Sequence, residues 1–275
     1  MAVETDQTKS NDTPIKSDAS RANHPNKSIK KHRKLKVFGL IVFVLLLVPL
    51  LVAGWYGFVP GLSTLMGATK PRDLGVRYSA ADLASYKQKT AVVLNDFTSA
   101  PDNPTKPGKK TIFADPKTVE GLNLTQSEIT AAINDLGWLW MPLKNVQVRL
   151  GNDVVEISGN LNATYASEVV NFIGGVGYSQ SDVDKAASWG KRFANNAAVY
   201  IKATGSVQND QLSFRLQQIQ IGRYNVPQDI ASRVLSTGTS NSIARTQHLE
   251  VQSAKLQPGS LVFSGTYPTT VYVKR

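Results

Sequence analysis

The sequence has no cysteine among its 275 residues, which excludes disulfides, zinc–thiolate sites, iron–sulfur clusters and a thiol nucleophile. Histidine is scarce as well, and His24, His32 and His248 are the whole set. The sequence contains no nucleophile-elbow motif, phosphate-binding glycine loop, dinucleotide fingerprint or metal-ligand spacing. We therefore predict that the protein is not an enzyme and that it holds neither a cofactor nor a metal.

Two groups of titratable side chains are candidates for catalysis. His248 lies in RTQHLEV, at the start of an expected strand, and a solvated loop histidine is the simpler interpretation. Asp182 and Asp184 are two residues apart in a helix-leaning stretch, so they face different directions and fit a solvated first helical turn. A hydrolase of unrecognised type is the remaining enzymatic alternative.

One long apolar run stands out near the amino terminus. Val37–Val59, VFGLIVFVLLLVPLLVAGWYGFV, has 23 residues without a charge and would span about 34 Å as a helix. Pro49 is tolerated in a membrane helix, and Trp55 and Tyr56 stand where aromatic rings prefer the membrane interface. The segment predicts a single transmembrane helix over 37–59. A cleaved signal peptide is the alternative, but this apolar core is longer than such peptides use.

A basic tail precedes the apolar run. Residues 1–36 are polar, lack apolar periodicity and carry nine basic and four acidic residues, which predicts a disordered tail. Five basic residues directly before the apolar run fix the predicted topology: Lys30, Lys31, Arg33, Lys34 and Lys36. By the positive-inside rule this tail is cytoplasmic and the rest of the chain is extracytoplasmic. Lipid phosphate is the expected partner of the cluster rather than nucleic acid, since no aromatic residue interleaves it.

The remaining sequence predicts a linker over 60–70 and an α+β domain over 71–275. Ser79 begins a capping-box-like helix start, and the apolar spacing extends that predicted helix to Phe97. The stretch 100–110 has three prolines and a glycine and predicts an exposed loop. Thr125 with Glu128 forms a second capping box, and Leu124 is placed to form a hydrophobic staple at the start of this second helix.

From residue 145 the apolar period changes to two, which predicts antiparallel strands. Residues 146–159 form a hairpin around a Gly-Asn-Asp turn. In a later strand the apolar residues stand at even positions up to Leu216 and at odd positions from Ile219, with Gln217-Gln218 between them. Keeping these side chains on one face requires a bulge there, and a bulge bends and twists its strand. The pattern therefore predicts a highly curved antiparallel sheet wrapped on one or two helices.

The last third of the chain predicts a short helix after Pro227 and then strands to the end. Residues 152–161 and 258–267, NDVVEISGNL and PGSLVFSGTY, share a turn, an apolar strand and Ser-Gly. Either an internal repeat or coincidence explains this match. Between them, residues 165–196 are helix-leaning, with glycines at 174, 175 and 177 that should break the helix.

These motifs resemble a known group of proteins. An LT-x-x-E helix start at 124–128 precedes V-x-V-x-L-G-N-D-x-x-E-I-S-G at 146–159, followed later by L-x-F-x-L and I-G-R-Y-x-V-P. The arrangement resembles bacterial membrane-anchored extracytoplasmic proteins related to YpmS and LmeA, whose fold is compared with tubular lipid-binding (TULIP) domains. The resemblance covers roughly residues 124–267 and departs from that pattern at 165–196 and 100–120. It implies a highly curved sheet around a long helix, enclosing an apolar groove for lipid acyl chains.

The candidate groove residues are the apolar side chains of the expected sheet face and its helices. They are Ile129, Ile133, Leu136, Trp138, Trp140, Val146, Val148, Phe214, Leu216, Ile219, Ile230, Val234 and Phe263. The alternative is that the two amino-terminal helices of the domain fill this face completely. Trp138 and Trp140 either line the groove mouth or touch the membrane, or they are simply buried against the helix.

Two functions remain open on the sequence. The first is non-catalytic binding of a lipid or lipid-linked ligand by a membrane-anchored domain. The second is a cell-envelope interaction module with a solid core, which binds another protein or a wall polymer.

Overall fold

The computed structural model describes residues 28–104, 108, 110–208, 211–246 and 248–274, and side chains in those ranges except at 28–40, 207–208, 211–214 and 242–245. The predicted disordered tail lies outside the described residues up to residue 27. The chain divides into two compact units, Met1–Leu46 and Leu47–Arg275. The first contains the amino-terminal part of helix α1, and the second contains the end of α1 and all other elements.

Within the described residues the chain forms seven α-helices and nine strands. The helices are α1 (Ser28–Tyr56), α2 (Leu62–Leu65), α3 (Ala80–Thr90), α4 (Gln126–Asp135), α5 (Ala166–Ile173), α6 (Gln180–Trp189) and α7 (Gln228–Arg245). The strands are β1 (Val93–Asp96), β2 (Phe113–Thr125), β3 (Leu143–Gly151), β4 (Val154–Leu161), β5 (Ala198–Gln208), β6 (Gln211–Ile221), β7 (Tyr224–Asn225), β8 (Glu250–Gln257) and β9 (Ser260–Val273). The prediction of an α+β architecture is confirmed.

Helix α1 begins at Ser28, well before the predicted start at Val37, and ends at Tyr56. Its described apolar side chains are solvent-exposed, as Leu45 and Leu46 are at 67% each. None of the helices in the described part of the chain is both long enough and apolar enough to cross a membrane.

The segment predicted as a linker over 60–70 is packed. It contains α2, and Ser63 and Ala68 are both only 2% exposed. The Ser63 hydroxyl accepts a hydrogen bond from the Val59 amide at 3.0 Å, and the Ala198 amide donates to the Ala68 carbonyl at 3.1 Å. This segment is therefore part of the domain.

The first predicted helix is shorter than expected. Its capping box between Ser79 and Asp82 is confirmed, but α3 stops at Thr90 because Ala91 adopts a left-handed conformation. The next residues form β1, so Phe97 lies outside the helix. The β-branched pair at 92–93 favours extended backbone and competes with the helical spacing.

The second predicted helix start is confirmed. The Thr125 hydroxyl accepts a hydrogen bond from the Glu128 amide, and the Glu128 carboxylate accepts one from the Thr125 amide at 2.8 Å. Helix α4 lies against β3 and buries Val146, Val148 and Leu150.

The strands form one nine-stranded sheet with the order β1-β9-β8-β5-β4-β3. Strand β2 adds to β9, β6 adds to β5, and β7 pairs with β6. Only the β1–β9 pair is parallel among the described pairs. The predicted hairpin of β3 and β4 is confirmed, and β8 and β9 form a second hairpin.

The predicted bulge in β6 is confirmed at the expected position. Lys202 pairs with Gln218, and the next residue, Ala203, pairs with Leu216. Gln217 is therefore the extra residue, and Leu216 and Ile219 lie in the same buried cluster. Register shifts also interrupt β2–β9, β3–β4 and β8–β9.

Candidate functional site

The candidate site is built around the loop that follows α4. Gly137 has a φ of +79° there, a left-handed conformation that glycine adopts without a steric cost. The Leu139 amide donates to the Lys274 carbonyl at 3.0 Å, and the Met141 amide donates back to the Trp138 carbonyl at 3.1 Å. The loop is thus held to the end of β9 and turned on itself.

Asn162 fixes the other end of the loop. Its side-chain amide donates to the Met141 carbonyl at 2.9 Å, and its backbone amide donates to the Pro142 carbonyl at 2.7 Å. These bonds hold Trp138 and Trp140 beside the helix that follows β4.

Phe172 on α5 is the centre of an aromatic cluster with Phe113, Trp138 and Trp140. Its ring centroid lies 5.6 Å from that of Trp138, 6.0 Å from that of Trp140 and 6.2 Å from that of Phe113. These separations are typical of interacting aromatic pairs. Three sequence-distant segments therefore meet at the Phe172 ring.

An apolar cleft of about 360 Å³ opens beside this cluster. We call it the aromatic cleft. It is lined by Phe97, Ile112, Trp138, Trp140, Glu168, Asn171, Phe172, Tyr272, Val273 and Lys274. Ligand pockets usually occupy about 300–1,000 Å³ and combine apolar walls with a few polar groups. The cleft has this composition, with polar groups at Glu168, Asn171 and Lys274.

The two indole groups of the cleft are unusual. The Nε1 atoms of both Trp138 and Trp140 are out of contact with solvent and have no hydrogen-bond acceptor among the described residues. A buried donor without an acceptor costs about 1–3 kcal/mol, so buried indoles usually find a partner.

A second cleft of about 510 Å³ lies on another side of Trp138. Its lining is more polar and includes Tyr78, Asn134, Asp135 and Asn162. Trp138 thus separates an apolar cleft from a polar one.

The end of α1 is held to the sheet by the turn after β6. The Arg223 amide donates to the Tyr56 carbonyl at 3.2 Å, and the Gly222 amide donates to the Ala198 carbonyl at 2.6 Å. A Cβ atom on Gly222 would lie 2.0 Å from the Tyr56 oxygen, so only glycine permits this contact. The carboxyl end of α1 therefore meets the start of β5.

The aromatic cleft lies at this same end of the strands. Asn160 at the end of β4 pairs with Ala198 at the start of β5, and Leu161 pairs with Leu143 at the start of β3. The loop that carries Trp138 and Trp140 directly precedes β3. The cleft is consequently near the α1 end of the sheet and away from the β3–β4 turn.

Several predicted groove residues lie in a packed core instead. Ile129 and Ile133 of α4 pack against Val146 and Val148 of β3, which are 2% and 3% exposed. Leu216 and Ile219 belong to a second cluster beneath α7. At these positions the sheet face is covered by α4 and α7, and only α4 is one of the two amino-terminal helices that were expected to fill it.

The remaining predicted residues are dispersed. Ile230 is 42% exposed, whereas Ala231 is the residue that α7 buries. Val234 and Leu136 are half-buried, and Phe263 pairs edge-to-face with Tyr267 at 5.8 Å. The Phe214 side chain lies outside the described side chains. Of the predicted set, only Trp138 and Trp140 line the aromatic cleft.

Sequence reasoning did not assign four of the cleft residues to a site: Phe97, Ile112, Phe172 and Tyr272. Each is an apolar or aromatic side chain in a segment that the sequence treats as a helix, a loop or a strand end. No local pattern joins them, because the segments meet only in the folded chain.

Asp182 and Asp184, the paired carboxylates of the sequence, are engaged in hydrogen bonds. Ser179 caps α6 through Asp182, while Asp184 accepts from Ser167 and Gln180. Hydrogen bonds from Ser167 and Gln180 lower the pKa of Asp184. His248 is exposed, with a φ of +63°.

The described residues contain no group of acidic and histidine side chains suited to hold a metal ion. Comparison of the chain with protein-family models, with curated proteins and with solved structures finds no match. The resemblance to YpmS- and LmeA-related proteins therefore stays a prediction.

Proposed function

We propose that this chain is a membrane-anchored, non-catalytic extracytoplasmic protein that binds the acyl part of a lipid or lipid-linked ligand in the aromatic cleft. The observation that carries the proposal is the apolar cleft of about 360 Å³ whose walls include Trp138, Trp140 and Phe172. Each acyl methylene buried there would contribute about 0.8 kcal/mol.

The membrane anchor is supported by the apolar side chains of α1. Residues 37–59 carry no charge, and the described side chains begin at residue 41, so they cover only part of that segment. Nearly all of the large apolar side chains from Ile41 to Val52 are exposed. Contiguous apolar exposure of this extent is typical of a surface that meets a membrane or another protein.

The position of the cleft also supports the proposal. Because the cleft lies at the α1 end of the sheet, a ligand leaving the outer leaflet would travel a short path along the protein surface to reach it. The basic residues before the apolar segment favour a cytoplasmic amino terminus, which would put the domain on the outer side.

Photo-cross-linking in a membrane tests this function. The full-length chain is reconstituted in vesicles that contain a phospholipid with a diazirine on one acyl chain, and cross-linked peptides are identified by mass spectrometry. We expect cross-links in peptides covering 138–140 and 171–173, in addition to those in α1. Cross-links confined to α1 would overturn the proposal.

A cleft-filling variant sharpens the test. Asn171 is exposed and lines the cleft, so Asn171→Trp should occupy the cleft and reduce cross-linking at 138–140 by about tenfold, the factor that about 1.4 kcal/mol provides. Thr64→Trp, on the exposed side of α2, is the matched control and should cross-link like the unchanged chain. Equal cross-linking in both variants would contradict binding in the cleft.

The packed cores beneath α4 and α7 favour the second candidate, an envelope interaction module. This alternative predicts no acyl cross-link in the domain and one specific protein or polymer partner in chemical cross-linking of intact cells. The two functions therefore give opposite results in the same vesicle experiment.

A further inference from the structure

A cluster of aromatic side chains lies at the carboxyl end of α1. Phe58 follows the helix, and its ring centroid lies 5.3 Å from that of Trp189 and 6.3 Å from that of Tyr224. Tyr56 lies 6.4 Å from Tyr224. Phe193 extends the group from Trp189, with centroids 5.7 Å apart. We call these five residues, together with Trp55, the juxtamembrane rim.

The rim is largely uncovered. Trp55 is 54% exposed, Trp189 48% and Tyr224 43%, and the neighbouring Leu65 is 85% exposed. Scattered exposed apolar residues are ordinary, but a group of neighbouring exposed aromatic rings is typical of an interaction surface. Tryptophan and tyrosine are the side chains that membrane proteins place at the headgroup level.

Two arginine side chains lie close to aromatic rings of the rim. The Arg223 guanidinium lies 3.8 Å from the Trp55 ring centroid, and the Arg192 guanidinium lies 5.2 Å from that of Phe193. An open depression beside Trp189 is lined by Lys185, Arg192, two serines and one carboxylate, Asp184. Lys185 lies 4.0 Å from Asp182, and its side chain is 78% exposed. Arg192 is exposed as well, so both cations can face anionic lipid phosphates.

The rim is held at a fixed place relative to the end of α1. Arg223 donates to the carbonyl oxygens of Trp55 at 3.2 Å and Met66 at 2.6 Å, in addition to its backbone bond to Tyr56. Together with the close contact at Gly222, these bonds leave little freedom between the helix end and the β6–β7 turn. The aromatic rings of the domain therefore lie at the level of Trp55 and Tyr56.

From these observations we infer that the juxtamembrane rim docks the domain onto the headgroup region of the outer leaflet, with a preference for anionic phospholipid. The occupant is the bilayer itself, because the rim is continuous with the apolar surface of α1 and carries cations among its rings. The inference rests on the anchor in the proposed function and adds a second membrane contact made by Trp189, Phe193 and Tyr224.

Site-specific quenching tests the docking. Because the chain has no cysteine, Ser188→Cys beside Trp189 can carry a single environment-sensitive fluorophore in the full-length protein. The probe is a vesicle of phosphatidylcholine and phosphatidylglycerol that contains headgroup-level spin-labelled lipid. We expect strong quenching at residue 188 and none at Asn152→Cys, which lies at the opposite β3–β4 turn. Equal quenching at the two sites would overturn the inference.

Charge and ring variants separate docking from folding. Arg192→Glu should lower the ratio of docked to undocked protein by about fivefold or more in anionic vesicles. The reason is that a basic residue near such a surface contributes about 1 kcal/mol. Trp189→Ala should reduce quenching in neutral vesicles too. Unchanged quenching in both variants would contradict a role for the rim.

The outcomes for the two proposals are distinguishable. Quenching at residue 188 without acyl cross-links at 138–140 would reject lipid binding in the cleft and keep the rim. Cross-links at 138–140 without quenching at 188 would reject the rim and keep the cleft.

Discussion

Two buried carboxylates organise the polar interior at the level of single residues. Glu128 is 4% exposed and accepts from Ser85 at 2.5 Å and from Lys89 at 2.9 Å, in addition to its capping bond. Burial alone would raise the pKa of Glu128, but these hydrogen bonds lower it. The sequence predicted the capping box of Glu128 but not its ties to α3, because Ser85 and Lys89 come from a distant helix.

Glu156 is the second of these carboxylates. The Tyr200 hydroxyl donates to one of its oxygens at 2.5 Å, and the Arg149 guanidinium donates to the other at 2.6 Å. Burial would raise the pKa of Glu156, but the bonds from Tyr200 and Arg149 lower it. A lowered pKa in the folded state means that the carboxylate stabilises the fold at neutral pH, and that this stabilisation is lost as the pH falls through the folded-state pKa.

Tyr200→Phe removes one donor from this buried carboxylate. We expect the variant to lose about 1.5–3 kcal/mol of unfolding free energy at pH 7, the contribution of a hydrogen bond to a charged group. The difference from the unchanged chain should shrink as the pH falls through the folded-state pKa of Glu156, because a protonated carboxyl no longer gains from a charge-assisted hydrogen bond. Thermal unfolding of the full-length chain in detergent measures this, with Tyr178→Phe, whose ring is 40% exposed, as the control. A difference that is independent of pH would contradict the role assigned to Glu156.

At the level of elements, the bulge in β6 was predictable from the alternation of apolar and polar residues alone. The parity change between Leu216 and Ile219 required one extra residue, and the strand pairing identifies it as Gln217. The hairpins and the capped helix starts were predictable for the same reason, since the residues that specify them are neighbours in sequence.

Deleting Gln217 should be much less damaging than truncating a buried neighbour. Without Gln217 the strand continues in regular alternation from Leu216 to Ile219, so both side chains stay on the same face and only the bulge is lost. Leu216→Ala, at a position that is 4% exposed, should instead cost about 2–5 kcal/mol. The melting temperatures of the two variants provide the measurement, and equal values would show that the bend at the bulge is itself essential to the fold.

Strand β2 is the element that sequence patterns missed. It runs from Phe113 to Thr125, although it contains Pro116 and Gly121 and is interrupted between Val119 and Leu122. Its ladder partner β9 is more than 130 residues away in sequence at every paired position. Pairing with a remote strand overrode a local composition that favours a loop.

At the level of the whole molecule, the candidate site was only partly predictable. Trp138 and Trp140 were identified as possible groove residues, but the aromatic cleft also requires Phe172 from α5 and the end of β9. The sheet face that was expected to enclose a groove is instead covered by α4 and α7. Which apolar face a helix covers depends on tertiary packing that one sequence does not reveal.

The proposed topology makes a labelling prediction for the whole chain. Ser10→Cys in the amino-terminal tail should react with a membrane-impermeant maleimide only after the membrane is opened, whereas Asn152→Cys should react in sealed right-side-out vesicles. The natural chain without cysteine provides a background of zero. Labelling of both sites in sealed vesicles, or the reverse pattern, would contradict a cytoplasmic tail with an outer domain.

The contact between Gly222 and the Tyr56 oxygen has one further consequence. Any side chain at position 222 would collide with that oxygen, so a replacement would have to part the last turn of α1 from the turn after β6.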